Sequence, residues 1–165
     1  MTRAVLSIGS NLGDRLAHLQ SVVDGLGDGL VAVSAVYETD PWGGVEQQPF
    51  LNAVVIAEDP DRDAHAWLRR AQEFEQAAGR VRELRWGPRT LDVDLVACYG
   101  TQGPIAVDDC ELTLPHPRAH LRAFVLVPWL DVDPAAELCR PVRELLTELE
   151  VDVAGVRPTA LALET

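Results

Sequence analysis

The chain has 165 residues, 47% of them hydrophobic, and a formal net charge of −12, so it can build a core but would be repelled by nucleic-acid phosphates or an anionic membrane. All 14 basic residues are arginines, and the absence of lysine excludes both a Gly-Lys-Ser/Thr phosphate loop and Schiff-base chemistry. The apolar runs Leu30 to Tyr37 and Phe124 to Leu130 fall well short of the roughly 20 residues a membrane helix needs, the N-terminus lacks a signal-peptide pattern, and Cys98, Cys110 and Cys139 lack metal or redox spacing. The expectation is one cytoplasmic domain over 1–165, monomeric, with reduced thiols.

In chain order, the apolar stretch Ala4-Val5-Leu6-Ser7-Ile8 predicts a strand that ends in Gly9-Ser10-Asn11-Leu12-Gly13. A helix follows, with Leu16, Leu19, Val23 and Leu26 on one stripe and Gly27 as its stop. Leu30 to Thr39 and Phe50 to Glu58 read as two strands flanking a loop that contains Pro41, Gly43, Gly44 and Pro49. A second helix is expected from about Ala64 to Ala78, with Trp67, Ala71, Phe74 and Ala78 on its apolar face and Gly79 after it. Arg80, Arg82, Arg85 and Arg89 then crowd together as a local anion trap. Leu91 to Tyr99 alternates as a half-buried strand, with Leu91, Val93 and Leu95 on one side and Asp92 and Asp94 on the other.

The order β-α-β-β-α-β predicts a ferredoxin-like α+β fold, an antiparallel sheet with helices packed on it. The remainder is a C-terminal elaboration. It holds Leu114-Pro115-His116-Pro117, the apolar segment from Phe124 to Leu130, and an amphipathic helix on Val142, Leu145, Leu146 and Leu149.

Asp92 and Asp94 leave the same strand face with Cα atoms about 6.8 Å apart, a spacing that can bracket cations. Magnesium takes one or two carboxylates together with phosphate oxygens and water. The same spacing equally fits the wet face of an amphipathic strand. Arg85 and Arg89, a few residues upstream across the Gly87-Pro88 turn, would put phosphate-binding forks beside those carboxylates. A run of arginines paired to local acids such as Glu83 is the alternative.

Arg80-Val81-Arg82 followed by Arg85-Trp86-Gly87-Pro88-Arg89-Thr90-Leu91-Asp92-Val93-Asp94 resembles the signature of the 6-hydroxymethyl-7,8-dihydropterin pyrophosphokinases of folate biosynthesis. Ile8-Gly9-Ser10-Asn11-Leu12-Gly13, Phe50-Leu51-Asn52-Ala53 and Leu114-Pro115-His116-Pro117-Arg118 resemble further motifs of that family in the same order, and the match weakens after about Ala135. The resemblance implies transfer of pyrophosphate from ATP to the pterin hydroxymethyl group with release of AMP. It implies two magnesium ions on Asp92 and Asp94, with Arg82 and Arg89 completing the catalytic set. ATP would be held by Gln72, Arg80, Arg82, Arg85, Trp86, Arg89, His116 and Arg122, and Arg82, Arg85 and Trp86 would lie on a loop that closes over the reactants. The pterin would meet Phe50 and Phe124 as stacking faces, Asn52 at its pyrimidine edge, and the segment bearing Thr39, Asp40, Trp42 and Gly43. Asp40, Phe50, Glu83 and Glu111 depart from the family pattern.

Other chemistry-bearing residues read as structural. His18 and His65 are expected as surface or capping residues, Asp108, Asp109, Asp131 and Asp133 as solvated acids, and the Gly9 to Gly13 turn as a structural turn near the pterin pocket rather than a dinucleotide loop. Two rival functions fit parts of the pattern: a nucleotidyltransferase that uses the same acids but releases pyrophosphate, and a non-catalytic ligand-binding module.

Overall fold

The computed structural model describes residues 1–40, 47–79 and 90–165. Strand β1 (Thr2–Ser10) leads to α1 (Arg15–Leu26), which Asp14 caps by accepting from the Ala17 N–H at 3.1 Å and which Gly27 ends at φ 52. Strands β2 (Leu30–Val33), β3 (Tyr37–Thr39) and β4 (Phe50–Asp59) come next. Helix α2 (Ala64–Ala77) starts at Asp63, whose carboxylate accepts from Ala66 at 2.8 Å. Then come β5 (Asp92–Gly100), β6 (Gly103–Pro104), β7 (Val107–Asp108) and β8 (Thr113–Leu114). The chain continues through α3 (Ala123–Val132), α4 (Val142–Thr147), α5 (Glu150–Ala154) and β9 (Val156–Pro158).

The main sheet runs β6-β5-β1-β4-β3-β9 with β2 also on β4, and every pairing in it is antiparallel. With β2 and β3 taken as one interrupted strand, this is the expected ferredoxin-like sheet. The interruption has a local cause. Ser34 Oγ accepts from the Val54 N–H at 2.9 Å and donates to the Ala35 carbonyl, while the Ala35 N–H is taken by Asp131 at 2.9 Å, so side chains replace ladder bonds there.

Both faces of the sheet are buried. On one, Leu6, Ile8, Leu51, Val55, Val93 and Leu95 pack against Trp67 and Phe74 of α2 and Leu19 and Val22 of α1. On the other, Val5, Val54, Val96 and Ala97 pack against Val125, Leu126 and Trp129 of α3, with Val142 and Leu145 of α4 behind. Each such side chain contributes about 1.5–3 kcal/mol relative to exposure. The C-terminal elaboration is thus a second helical layer. For the same reason β5 alternates between buried and half-exposed only as far as Leu95: a bulge shifts its register against β1 between Val5 and Leu6, and Val96, Ala97 and Cys98 are all buried.

Asp109 and Asp131 are exposed, as expected, and also make structural contacts. Asp131 braces Ala35 and, together with burial, raises the pKa of the Tyr37 phenol. Asp109 shapes its turn by accepting from Glu111 and Leu112 and pairs with His65 at 2.7 Å. The expected helix on Val142 to Leu149 is broken into α4 and α5, with Leu149 at the cap of the second. Among the described residues no helix is long and apolar enough to cross a membrane.

Candidate active site

Register brings the chemistry to one end of one sheet face. Asp92, Gly9 and Asn52 lie in a single row across β5, β1 and β4, and Asp94, Ser7 and Val54 form the next row. Directly opposed residues share a face. Val54 and Val5 lie under α3, so Asp92, Asp94, Asn52 and Phe50 all project on the α3 side. Beyond the apolar contact with α3, the half-exposed Asp92, Asp94 and Phe50 share that face with the buried Asn52.

Asn52 is 3% exposed and donates to Thr39 Oγ1 at 2.7 Å, joining β4 to β3 where Thr39 opposes Phe50. Gly9 makes room for this, because a Cβ there would lie 2.8 Å from Asn52 Oδ1 and 3.6 Å from Phe50 Cδ1. Facing these residues, Arg122 stands at the N-terminus of α3. Its Nη1 lies 3.8 Å from Asp94 Oδ2, and its guanidinium carbon stands 5.7 Å from the Phe124 ring centroid. Arg122 therefore links a carboxylate of β5 to an aromatic face.

His116 is tied into the same edge, its N–H donating to the Val96 carbonyl at 2.8 Å. Its Nδ1 accepts from the Arg118 N–H at 3.2 Å, which assigns the proton of the neutral ring to Nε2. Burial first, then the charges of Arg122 and Arg118, push its pKa down to about 4.

Glu75 was not singled out in the sequence. It is 7% exposed on α2, and its Oε2 accepts from the Val93 N–H at 3.0 Å, holding β5 at the residue between the two acids. Its signal was an acid four residues after Ala71, on the buried stripe. Asn11 was likewise missed as an anchor: it is 1% exposed and its amide donates to Gln47 Oε1 at 2.7 Å and to the Gln48 carbonyl at 3.1 Å. That makes the Gly9 to Gly13 segment a structural turn, as expected, bound to the segment preceding β4.

Gln72 is exposed on α2, and Asp40 is exposed at the end of β3. Trp42, Gly43, Arg80, Arg82, Arg85, Trp86 and Arg89 lie outside the described residues. A recess of about 320 Å³ is lined by Thr39, Asp40, Arg122 and Phe124 on one side and Val151 and Asp152 on the other. A larger one, about 560 Å³, sits at the opposite end of the sheet around Arg3, Tyr99 and Glu137 and contains none of the candidate residues.

Among the described residues no three His, Cys, Asp or Glu side chains converge as a metal cage. Two half-exposed carboxylates on one strand face fit magnesium nonetheless, since that ion draws its remaining ligands from phosphate and water.

The family profile described as 7,8-dihydro-6-hydroxymethylpterin-pyrophosphokinase (HPPK) matches residues 5–134. The chain belongs to this family. HPPK members are diphosphokinases that transfer pyrophosphate from ATP in folate biosynthesis, and membership makes the chain an enzyme of that class. It is 65% identical over 160 residues to the 2-amino-4-hydroxy-6-hydroxymethyldihydropteridine pyrophosphokinase of Mycobacterium tuberculosis, covering 91% of this chain and 85% of the relative. The identically named protein of Mycobacterium leprae is 64% identical over 176 residues, covering 99% and 92%. Among solved structures, Plasmodium falciparum HPPK-DHPS with pterin and p-hydroxybenzoate superposes with a TM-score of 0.68 at 13% identity, over 96% of this chain and 45% of that one. That likeness concerns the HPPK fold, and the chain spans less than half the length of the Plasmodium protein. Helices α4 and α5 and strand β9 lie beyond the profile match, yet α5 supplies a wall of the recess.

Proposed function

We propose that the chain transfers the β,γ-pyrophosphoryl group of ATP to the hydroxymethyl oxygen of 6-hydroxymethyl-7,8-dihydropterin, with residues 1–165 acting as one catalytic domain. The observation that carries this reading is the link from Asp94 to Arg122 to Phe124, which joins a carboxylate suited to a phosphate-bound cation with an aromatic face suited to a flat heterocycle.

In this reading the pterin lies between Phe50 and Phe124, and the Asn52 amide, held by Thr39, meets its pyrimidine edge. The hydroxymethyl oxygen attacks the β-phosphorus, the bond from that phosphorus to the α,β-bridging oxygen breaks, AMP leaves with that oxygen, and the hydroxyl proton passes to solvent. Asp92 and Asp94 would hold two magnesium ions, which would neutralise phosphate charge. Arg122 and the neutral His116, with its Nε2–H free of the backbone contact at Nδ1, donate to phosphate oxygens. Arg80, Arg82, Arg85, Trp86 and Arg89, on the family signature, and Gln72, by the wider resemblance, belong to the ATP side. Arg82 and Arg89 stabilise the charge that moves onto the leaving group. Phosphoryl transfer rests on positioning and charge stabilisation, which suits a site built from carboxylates and arginines.

The test is chromatography of nucleotide products after incubation with ATP, magnesium and the pterin alcohol. Pterin-dependent AMP is expected. Release of free pyrophosphate would instead point to nucleotidyl transfer, and no turnover would point to a binding module.

A further inference from the structure

We infer that Arg157, on the C-terminal strand beyond the family-matched region, is a positioning residue for the pterin side of the cleft, acting through Asp40 and Glu38. The inference rests on the proposed pterin pyrophosphokinase reading and deepens it.

Strand β9 pairs antiparallel with β3, setting Arg157 opposite Glu38 and Val156 opposite Thr39. The Arg157 fork donates to both oxygens of Asp40, from Nη1 at 3.3 Å and from Nη2 at 3.1 Å, and Nη2 also reaches Glu38 Oε1 at 3.3 Å. One guanidinium thus grips residues 38 and 40. Side chains alternate along a strand, so the residue between them points the other way. That residue is Thr39, 7% exposed, whose hydroxyl accepts from Asn52 Nδ2 at 2.7 Å.

The grip extends further. Glu38 Oε2 lies 3.6 Å from Arg15 Nη1, and the same nitrogen donates to the Pro49 carbonyl at 2.9 Å. Asp40, Arg157, Glu38 and Arg15 form a continuous chain of charge from the end of β3 to the residue before β4. Thr39 and Phe50 are paired across those strands. A bidentate fork resists twisting about the strand as a single contact would not, so its loss lets the Thr39 hydroxyl, and with it the Asn52 amide, depart from the geometry that meets the ligand edge.

The groups involved are well exposed, Arg157 at 43% and Asp40 at 68%, so the fork contributes little to global stability. Its effect is local, and kinetics separates the two. In the full chain, Arg157→Gln is expected to raise KM for the pterin about three- to fivefold, the scale set by an exposed ion pair, while KM for ATP, kcat and the melting temperature stay within error. Arg157→Lys, which keeps charge without the fork, is expected to recover only part of the loss. Arg157→Asp should weaken the pterin further, again with KM for ATP unchanged. An unchanged pterin KM in Arg157→Gln, or equal movement of both KM values, overturns the inference. Failure of the underlying reading looks different, because the unmodified chain would then produce no pterin-dependent AMP at all.

Discussion

A Cβ on Gly9 would lie 2.8 Å from Asn52 Oδ1, closer than real Cβ atoms approach, so the Asn52 amide occupies space over β1 that any other residue would fill. Gly9→Ala should therefore displace Asn52 from Thr39 without unfolding the strand. An overpacked site costs about 1–3 kcal/mol, so KM for the pterin should rise by about tenfold or more with KM for ATP little changed. Steady-state kinetics with each substrate varied in turn checks this. A variant with an unaltered pterin KM would show that Asn52 does not read the ligand.

The acids on β5 give a second expectation. Asp92 and Asp94 are half-exposed on the α3 side while Leu91, Val93 and Leu95 carry the packing, at 0%, 5% and 4% exposure. Asp92→Ala and Asp94→Ala should each nearly abolish turnover and leave the thermal melt close to that of the unmodified chain. Turnover that survives in both variants at saturating magnesium would remove the metal role from this pair.

Glu75 tests how firmly those acids are held. Glu75→Ala leaves the buried Val93 N–H without its carboxylate acceptor, a loss of about 1–3 kcal/mol. At about 2–4 °C per kcal/mol for a chain of this size, the melting temperature should fall by several degrees, and activity should fall with it because Val93 lies between Asp92 and Asp94. Glu75→Gln retains an acceptor oxygen and should keep most of the stability. Identical melts for the Ala variant and the unmodified chain would contradict the bracing role.

His116 sets a pH expectation. Its pKa is pushed down to about 4 in the folded chain, below the usual histidine value of 6.5, by burial and by Arg122 and Arg118. The unfolded state therefore binds more protons between those values, so stability from this residue is complete above pH 6.5 and is lost as pH falls from 6.5 toward 4. The imidazole Cε1–H resonance, followed by NMR, should titrate well below 6. A midpoint near 6.5 would mean the ring is neither buried nor crowded by charge as described.

Much of this was legible in the sequence, for identifiable reasons. Period-2 alternation around Asp92 and Asp94 and helical stripes ending at Gly27 and Gly79 are local signals, and they yield the first helical layer and its sheet. The second layer was not legible. The run from Phe124 to Leu130 is apolar on all sides, so its period says nothing about which face it covers, and the bulge at the end of β5 depends on that covering. The roles of Glu75, Asp131 and Arg157 arise from contacts between residues distant in sequence: Arg157 meets Asp40 117 positions away, and Asp131 meets Ala35 96 positions away. The family resemblance named Asp92, Asp94, Asn52 and Arg122, and register and packing explain why they come together at one end of one sheet face.

The central claim is that the β-phosphorus is the atom attacked, and ATP labelled at that phosphorus tests it most directly. With magnesium and 6-hydroxymethyl-7,8-dihydropterin present, the label should leave the nucleotide entirely and appear in the pterin product, while the AMP released carries none. Label retained in ADP beside a singly phosphorylated pterin would place the attack at the γ-phosphorus and contradict the account.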